Sequence, residues 1–308
     1  MSVFDNIGQA VGQAVGQTVN KGLDAMNDAT SNALVTHAPF VQGFIRLCNN
    51  GWQQGWHERN GGNLSYRMTE AEAAAVRPGF NDAPGEWIDL GFSEPTLGGE
   101  LFLTTGAGAF MQNVAAAPSE NIGIVELNAE GNAYRVVWGL VGRKPTSELP
   151  THLMNHAIRM AATNGACRVI YHAHPVNVIA MTFVEPLEAR TFSRALWKAM
   201  TECAIVFPEG VGVVPWMVPG GVEIGRTTSE QMKKFSAVIW AQHGLFASGA
   251  TFDETFGLMH CIEKSADIYR RARAMNGGSA DFLNTISDEG LAQIGEEFGV
   301  DLNKDFLS

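Results

Sequence analysis

The chain has 308 residues, 45% hydrophobic and 17% charged, and carries a formal net charge of −11 from 21 basic and 32 acidic side chains. That balance suits a chain with a sizeable buried core. It excludes a nucleic-acid surface built on clustered Lys and Arg, and no run of about 20 apolar residues offers a membrane span. The four cysteines, Cys48, Cys167, Cys203 and Cys261, form no CxxC pair. They point away from a zinc knuckle or disulfide framework and toward a reducing, cytoplasmic setting; the N-terminal stretch also lacks the pattern of a secretory signal. A small anionic ligand stays open, because backbone N–H groups, amides, hydroxyls and a metal ion hold phosphate without entering a formal charge count.

Residues 1–36 read as an N-terminal extension. Phe4, Ile7, Val11, Val15, Val19, Leu23 and Met26 recur at three- or four-residue steps and give an apolar helical stripe, which contains the short repeat AVGQAVGQTV. Such a helix would dock on the main domain or on a neighbouring subunit, since short isolated helices are marginal in water; the other reading is an assembly or targeting tag. From residue 37 to 308 helical and strand patterns alternate without a linker, so one domain is expected. A first helix is predicted over about 38–56. Short strands follow at Asn63–Arg67, Leu101–Thr104, Ile122–Leu127, Tyr134–Trp138, Val169–His172, Ile205–Phe207 and Ala237–Trp240, each bounded by Gly, Pro or Asn. Further helices are predicted near 148–163, 222–235 and 252–275. Strands 122–127 and 134–138 are too close for a crossover and must form a hairpin, so the sheet is mixed or mostly antiparallel with helices packed on it.

The strongest chemical signal is His172-Ala173-His174 at the end of an apolar run. On a strand, residues two apart face the same way, so two imidazoles can close on one ion. His243 follows another apolar strand and precedes Gly244, at a strand end where ligands gather. Three imidazoles with open positions suit a catalytic metal, zinc first. His152 and His156 share a helix face at i, i+4, but lack the order of a zincin and read as polar helix-face histidines. His37, His57 and His260 show no ligand pattern.

Arg59-Asn60-Gly61-Gly62-Asn63 joins helix to strand and offers an anion nest. Thr105-Gly106-Ala107-Gly108 and Thr146-Ser147-Glu148 add hydroxyls and backbone donors for phosphate oxygens, with Ser147 as a helix N-cap. Taken alone, Glu148 is also readable as a first-turn helix residue and Glu202 as a surface carboxylate.

Together the strings WQQGWHERNGGNLS, GIVELN, PTSELPTH, RVIYHAHPVN, MTECAIVFPEGVGVVPWMVPG, WAQHG and DETFGL, spread from about Phe40 to Val300, resemble the class II aldolase/epimerase family. The resemblance implies an αβα layered single domain with a largely antiparallel central sheet, a homotetramer and active sites at subunit interfaces. It also implies Zn2+, one per subunit, on His172, His174 and His243, and a small sugar-phosphate substrate. Glu148 would be the catalytic carboxylate that exchanges a proton with substrate carbon, and Glu202 would reach in from the adjacent subunit toward the aldehyde oxygen. Phosphate would fall to Asn60, Gly62, Asn63, Gly108, Thr146 and Ser147. Where the family shows TGSG this chain has Ala107, a lost hydroxyl worth about 1.5–3 kcal/mol if it bonded phosphate. Alternatives on the same fold are a fuculose-phosphate-type aldolase, a pentulose-phosphate 4-epimerase, a dehydratase and a scaffold without catalysis.

Overall fold

The computed structural model describes residues 30–307. The apolar stripe expected between Phe4 and Met26 lies outside the described residues. Residues 30–36 are helical, and α1 follows at Pro39–Gln53. Nine strands then build one sheet: β1 Asn63–Arg67, β2 Ile88–Asp89, β3 Leu101–Thr105, β4 Ile122–Leu127, β5 Ala133–Gly139, β6 Val169–Ala173, β7 Gly212–Val214, β8 Ala237–Trp240 and β9 Gly244–Gly249. The helices between and after them are α2 Glu70–Val76, α3 Pro118–Asn121, α4 Leu149–Ala162, α5 Val176–Met181, α6 Ala189–Ala199, α7 Thr201–Val206, α8 Val222–Met232, α9 Phe252–Met275 and α10 Asp288–Phe298.

The strand order is β2-β5-β4-β3-β1-β6-β9-β8-β7, and every pairing except β7 with β8 is antiparallel. Alternate residues along each strand feed opposite layers, as the period of a pleated strand requires. Leu64, Leu103, Tyr171, Ile239 and Leu245 join the core under α1, α6 and α9, whereas Phe102, Ile170, Trp240 and Phe246 join the cores facing α4 and α8. The result is the expected αβα layering. Helix α9 carries matching end signals: Thr251 Oγ1 accepts from Glu254 N at 3.1 Å, acidic residues fill the first turn and Arg273 sits in the last.

Two local expectations need correction, and one strand goes unpredicted. Ile205–Phe207 is not a strand: residues up to Val206 finish α7, with Cys203, Ala204 and Phe207 buried. A short apolar run cannot be told from a buried helix turn by periodicity. The strand of that region comes later, at Gly212–Val214. Gly244–Gly249, for which no strand is predicted, is a full strand hairpinned to β8. A Cβ at Gly244 would lie 2.4 Å from the Ala173 carbonyl oxygen, so glycine marks close strand approach there. Finally, Ser147 does not cap α4. Glu148 occupies the cap position without a side-chain cap bond, and Thr146 Oγ1 accepts from Glu148 N at 3.3 Å.

Candidate active site

Register decides which side chains meet. Asn63 on β1 lies opposite His172 on β6, and His172 lies opposite Phe246 on β9, so the three form one row across the middle of the sheet on the face toward α4. His172 stacks flat on Phe246, with centroids 4.2 Å apart and planes 11° apart. His174 stands just past the end of β6, its backbone N–H bonded to Trp56 O. His243 sits in the β8–β9 turn behind Gln242, whose φ of 56° is held by bonds from its backbone and side chain to Thr182. A non-glycine residue in the left-handed region is worth attention when surrounding bonds impose it. Here it aims the next residue, His243, back at the strand ends.

The three imidazole centroids form a near-equilateral triangle with sides of 5.1, 5.0 and 5.1 Å. Among the described residues, His172, His174 and His243 are the group whose ligand atoms, all within 4.8 Å of one another, can hold a metal ion. Nε2 of His172 and Nε2 of His243 are 3.4 Å apart. Two nitrogens bound at about 2.05 Å in a tetrahedron lie about 3.3 Å apart, so that spacing fits a shared ion. The tautomers fit as well. His172 Nδ1 donates to Leu245 O at 3.2 Å, and His174 Nδ1 donates to Glu58 Oε1 at 2.6 Å, leaving both Nε2 lone pairs for a ligand. Burial, together with the neighbouring imidazoles, pushes His172 well below the ordinary range and His243 down to about 4, so both are unprotonated at neutral pH.

Glu148, at the head of α4, places Oε2 3.7 Å from His172 Nε2 and accepts from Asn63 Nδ2 at 2.9 Å. Burial raises its pKa to about 7, against a smaller lowering by the Asn63 bond. A carboxyl group poised near neutrality beside a metal site can take and return a proton. The loop before β1 closes over the histidines. His57 Nδ1 donates to Gly61 O at 2.9 Å while Tyr171 Oη donates to His57 Nε2 at 2.7 Å. A Cβ on Gly62, which has φ of +72°, would fall 2.4 Å from His57 Nδ1 and 2.7 Å from His172 O. Only glycine allows that approach.

The remaining expected residues divide. Thr146 is buried next to Glu148, while Asn60, Gly108 and Ser147 sit on loops. Both polar atoms of the Asn63 side chain are engaged, one with Glu148 and one with His152. Glu202 is exposed on α7, and the structure places no contact between it and the histidine triangle. The pair read as polar helix-face histidines, His152 and His156, is instead fully buried against β1. Three residues gained roles that sequence reading missed: His57 and Glu58, both inside the WHERNGG string, and Arg143. Arg143 donates to Ala107 O at 3.3 Å, beside Gly108; its signal was a lone Arg-Lys pair just before PTSE.

The outer partner of His174 can be tested directly. Glu58→Gln removes its charge and should weaken metal affinity about tenfold, the low end for outer partners because Glu58 is exposed; competition with a chelator of known affinity measures it, and unchanged affinity would contradict the assignment. Acid should act on the whole fold. His57 and His152 are held down to about 4 and about 3 by burial, whereas in the unfolded chain both titrate near 6.5. Below about 6.5 the unfolded state therefore takes up protons the folded state refuses, and each ring removes about 1.4 kcal/mol of stability per pH unit. The raised carboxylates Glu94, Glu148 and Glu263 oppose this, but the lowered imidazoles His57, His152, His156, His172 and His243 outnumber them. Calorimetry at fixed metal loading should show Tm falling from pH 6.5 to pH 4.

The chain is 45% identical over 267 residues to rhamnulose-1-phosphate aldolase of Escherichia coli O1:K1 / APEC, covering 86% of this chain and 96% of the relative. A sugar-phosphate aldolase structure from Thermotoga maritima superposes with a TM-score of 0.64 at 29% identity, covering 75% of this chain and 94% of that one. An L-fuculose-1-phosphate aldolase structure from Thermus thermophilus shares the fold, with a TM-score of 0.52 at 20% identity over 78% and 97% of the two chains. The family model described as Class II Aldolase and Adducin N-terminal domain matches residues 42–270. The chain belongs to the class II aldolase family.

Proposed function

We propose that this protein is a zinc-dependent lyase that reversibly cleaves L-rhamnulose 1-phosphate to dihydroxyacetone phosphate and L-lactaldehyde. The carrying observation is the juxtaposition of Glu148, with a carboxyl group poised near neutrality, and the His172–His174–His243 triangle. The near full-length similarity to rhamnulose-1-phosphate aldolase supports the choice of substrate. The chemistry a Zn2+ ion supplies when held by these histidines is Lewis-acid withdrawal of charge from the ketose carbonyl.

The residues of the chain account for the rest. When the C3–C4 bond breaks, its electron pair stays with the dihydroxyacetone phosphate half, and C3 takes a proton from the Glu148 carboxyl group. In the synthetic direction the same carboxylate removes that proton. The aldehyde half must lose its hydroxyl proton, a task for Glu202 of a neighbouring copy, because Glu202 is exposed on α7 rather than near its own chain's histidines. With Glu202 in that role the active site would lie at a subunit interface, in keeping with the homotetramer that the family resemblance implies. Exposed Val176, Phe183, Val184, Trp216 and Val218 support burial against another copy.

Phosphate falls to the loops carrying Asn60, Gly62, Gly108, Thr146 and Ser147, with Asn63 joining only by giving up one of its present bonds. Thr146 keeps its hydroxyl hydrogen for such a contact, since its oxygen is the acceptor for Glu148 N. Arg143 supplies the cation where Ala107 supplies no hydroxyl. Residues 37–308 form the aldolase domain and residues 1–36 an extension. No helix among the described residues is long and apolar enough to cross a membrane, and the free thiols suit a reducing cytoplasm.

A coupled assay that reads dihydroxyacetone phosphate release from L-rhamnulose 1-phosphate tests the reading. Turnover should vanish with chelator, return with zinc, and fall about 10²- to 10⁴-fold in Glu148→Gln at unchanged zinc content. Zinc-replete protein that releases no triose phosphate would overturn the reading and favour a 4-epimerase. Arg143→Ala should raise KM roughly tenfold with kcat little changed; a fall in kcat alone would remove Arg143 from the phosphate site.

A further inference from the structure

Glu148 is one end of a run of buried hydrogen bonds that the chemistry above does not use. Asn63 Nδ2 donates to Glu148 Oε2 at 2.9 Å, and Asn63 Oδ1 bonds His152 Nε2. His152 Nδ1 lies 2.6 Å from Ser65 Oγ, which lies 2.8 Å from His156 Nε2. Ser65, His152 and His156 are at most 1% exposed. Asn63 and Ser65 are two residues apart on β1 and so share its α4 face, and His152 and His156 are one turn apart on α4. The run is therefore stitched between a central strand and the helix that carries Glu148.

Its direction is set by donor and acceptor inventory. An ionised carboxylate only accepts, so Asn63 turns its NH2 toward Glu148 and its oxygen toward His152. His152 then carries its hydrogen on Nε2, and its bare Nδ1 accepts from the Ser65 hydroxyl. The Ser65 oxygen accepts in turn from His156 Nε2–H. This leaves a lone pair, not an N–H, on His156 Nδ1, which bonds no protein group; a buried lone pair without a partner is better tolerated than a buried N–H. The opposite direction would strand an N–H there and present the Asn63 oxygen to the carboxylate.

We propose that Ser65, His152 and His156 are positioning residues: they lock the Asn63 amide so that Glu148 Oε2 is a permanent acceptor, leaving Oε1 as the oxygen that exchanges a proton with substrate. The proposal rests on the aldolase reading, in which Glu148 exchanges a proton with C3 of dihydroxyacetone phosphate. The proton moves from C3–H to Oε1 and back, and Oε2 keeps its bond to Asn63 throughout.

The test follows wash-in of solvent deuterium at C3 of dihydroxyacetone phosphate by NMR, with zinc content and KM measured alongside. Ser65→Ala should slow wash-in about 10- to 100-fold at unchanged zinc content and KM. Ser65→Thr, which keeps the hydroxyl, should restore it. Ala that exchanges at the parent rate, or Thr as slow as Ala, would overturn the proposal. Neutron diffraction of the parent protein tests the same inference without a variant: deuterium is expected on Nε2 of His152 and His156 and on Nδ1 of neither, and the reverse would overturn it. If the parent protein neither cleaves L-rhamnulose 1-phosphate nor exchanges deuterium, the aldolase reading fails, and the neutron map alone decides the orientation of the run.

Discussion

A buried carboxylate with no basic side chain paired to it among the described residues is the constraint around which this structure is arranged. Burying an unpaired charge is costly, and a protein escapes by pairing it, by hydrogen bonding it, or by letting it take a proton. Glu148 receives one side-chain hydrogen bond, from Asn63, and faces a neutral His172. Its pKa therefore drifts up to about 7. The same arrangement would serve a structural ion pair poorly, but it suits a group that must hold a proton at one moment and release it at the next. The position of Glu148 at the head of α4 matters here, because its side chain does not cap its own helix and is left free to point across to the sheet.

The histidine triangle obeys a complementary rule. A metal site needs lone pairs aimed inward, and each imidazole has one nitrogen to offer once the other is committed. His172 commits Nδ1 to a strand carbonyl and His174 commits it to Glu58. Burial keeps His172 neutral. Hydrogen bonding, packing on Phe246 and desolvation thus act on the same tautomer, and that agreement makes the site preorganised. The loop at Gly61 and Gly62 completes it by lying where a side chain would collide with His57, Glu58, His172 or His174.

Much of this is legible in the order of residues alone. His172 and His174 stand out because strand alternation translates i, i+2 directly into one face, and α9 forms over the 252–275 stretch where a helix is predicted. What escapes such reading depends on partners remote in sequence. His152 and His156 look like surface histidines, because nothing local says that Ser65, 87 and 91 positions earlier, will bond them. Glu58 and His57 likewise acquire meaning only when β6 comes to lie beside β1. The misread strand at Ile205–Phe207 and the missed one at Gly244–Gly249 share a cause. Short apolar runs and glycines are ambiguous until the sheet supplies or withholds a neighbouring strand.

Catalytic groups placed on regular elements are held more tightly than groups on loops, and this fold uses the distinction. In the proposed function the proton-handling side would have Glu148 at the helix head, with Asn63 and Ser65 on a central strand and His152 and His156 inside α4. In the same proposal the phosphate side would rest on loops around Gly62, Gly108 and Ser147, where an exposed arginine stands beside the residue that lacks a hydroxyl. A proton must be delivered to one carbon within a fraction of an ångström, whereas a phosphate with three equivalent oxygens accepts donors from several directions. Ala107 is therefore tolerable on the loop side. A comparable loss on the strand side, at Ser65, would remove the hydroxyl that bonds both His152 and His156 and so break the run between β1 and α4.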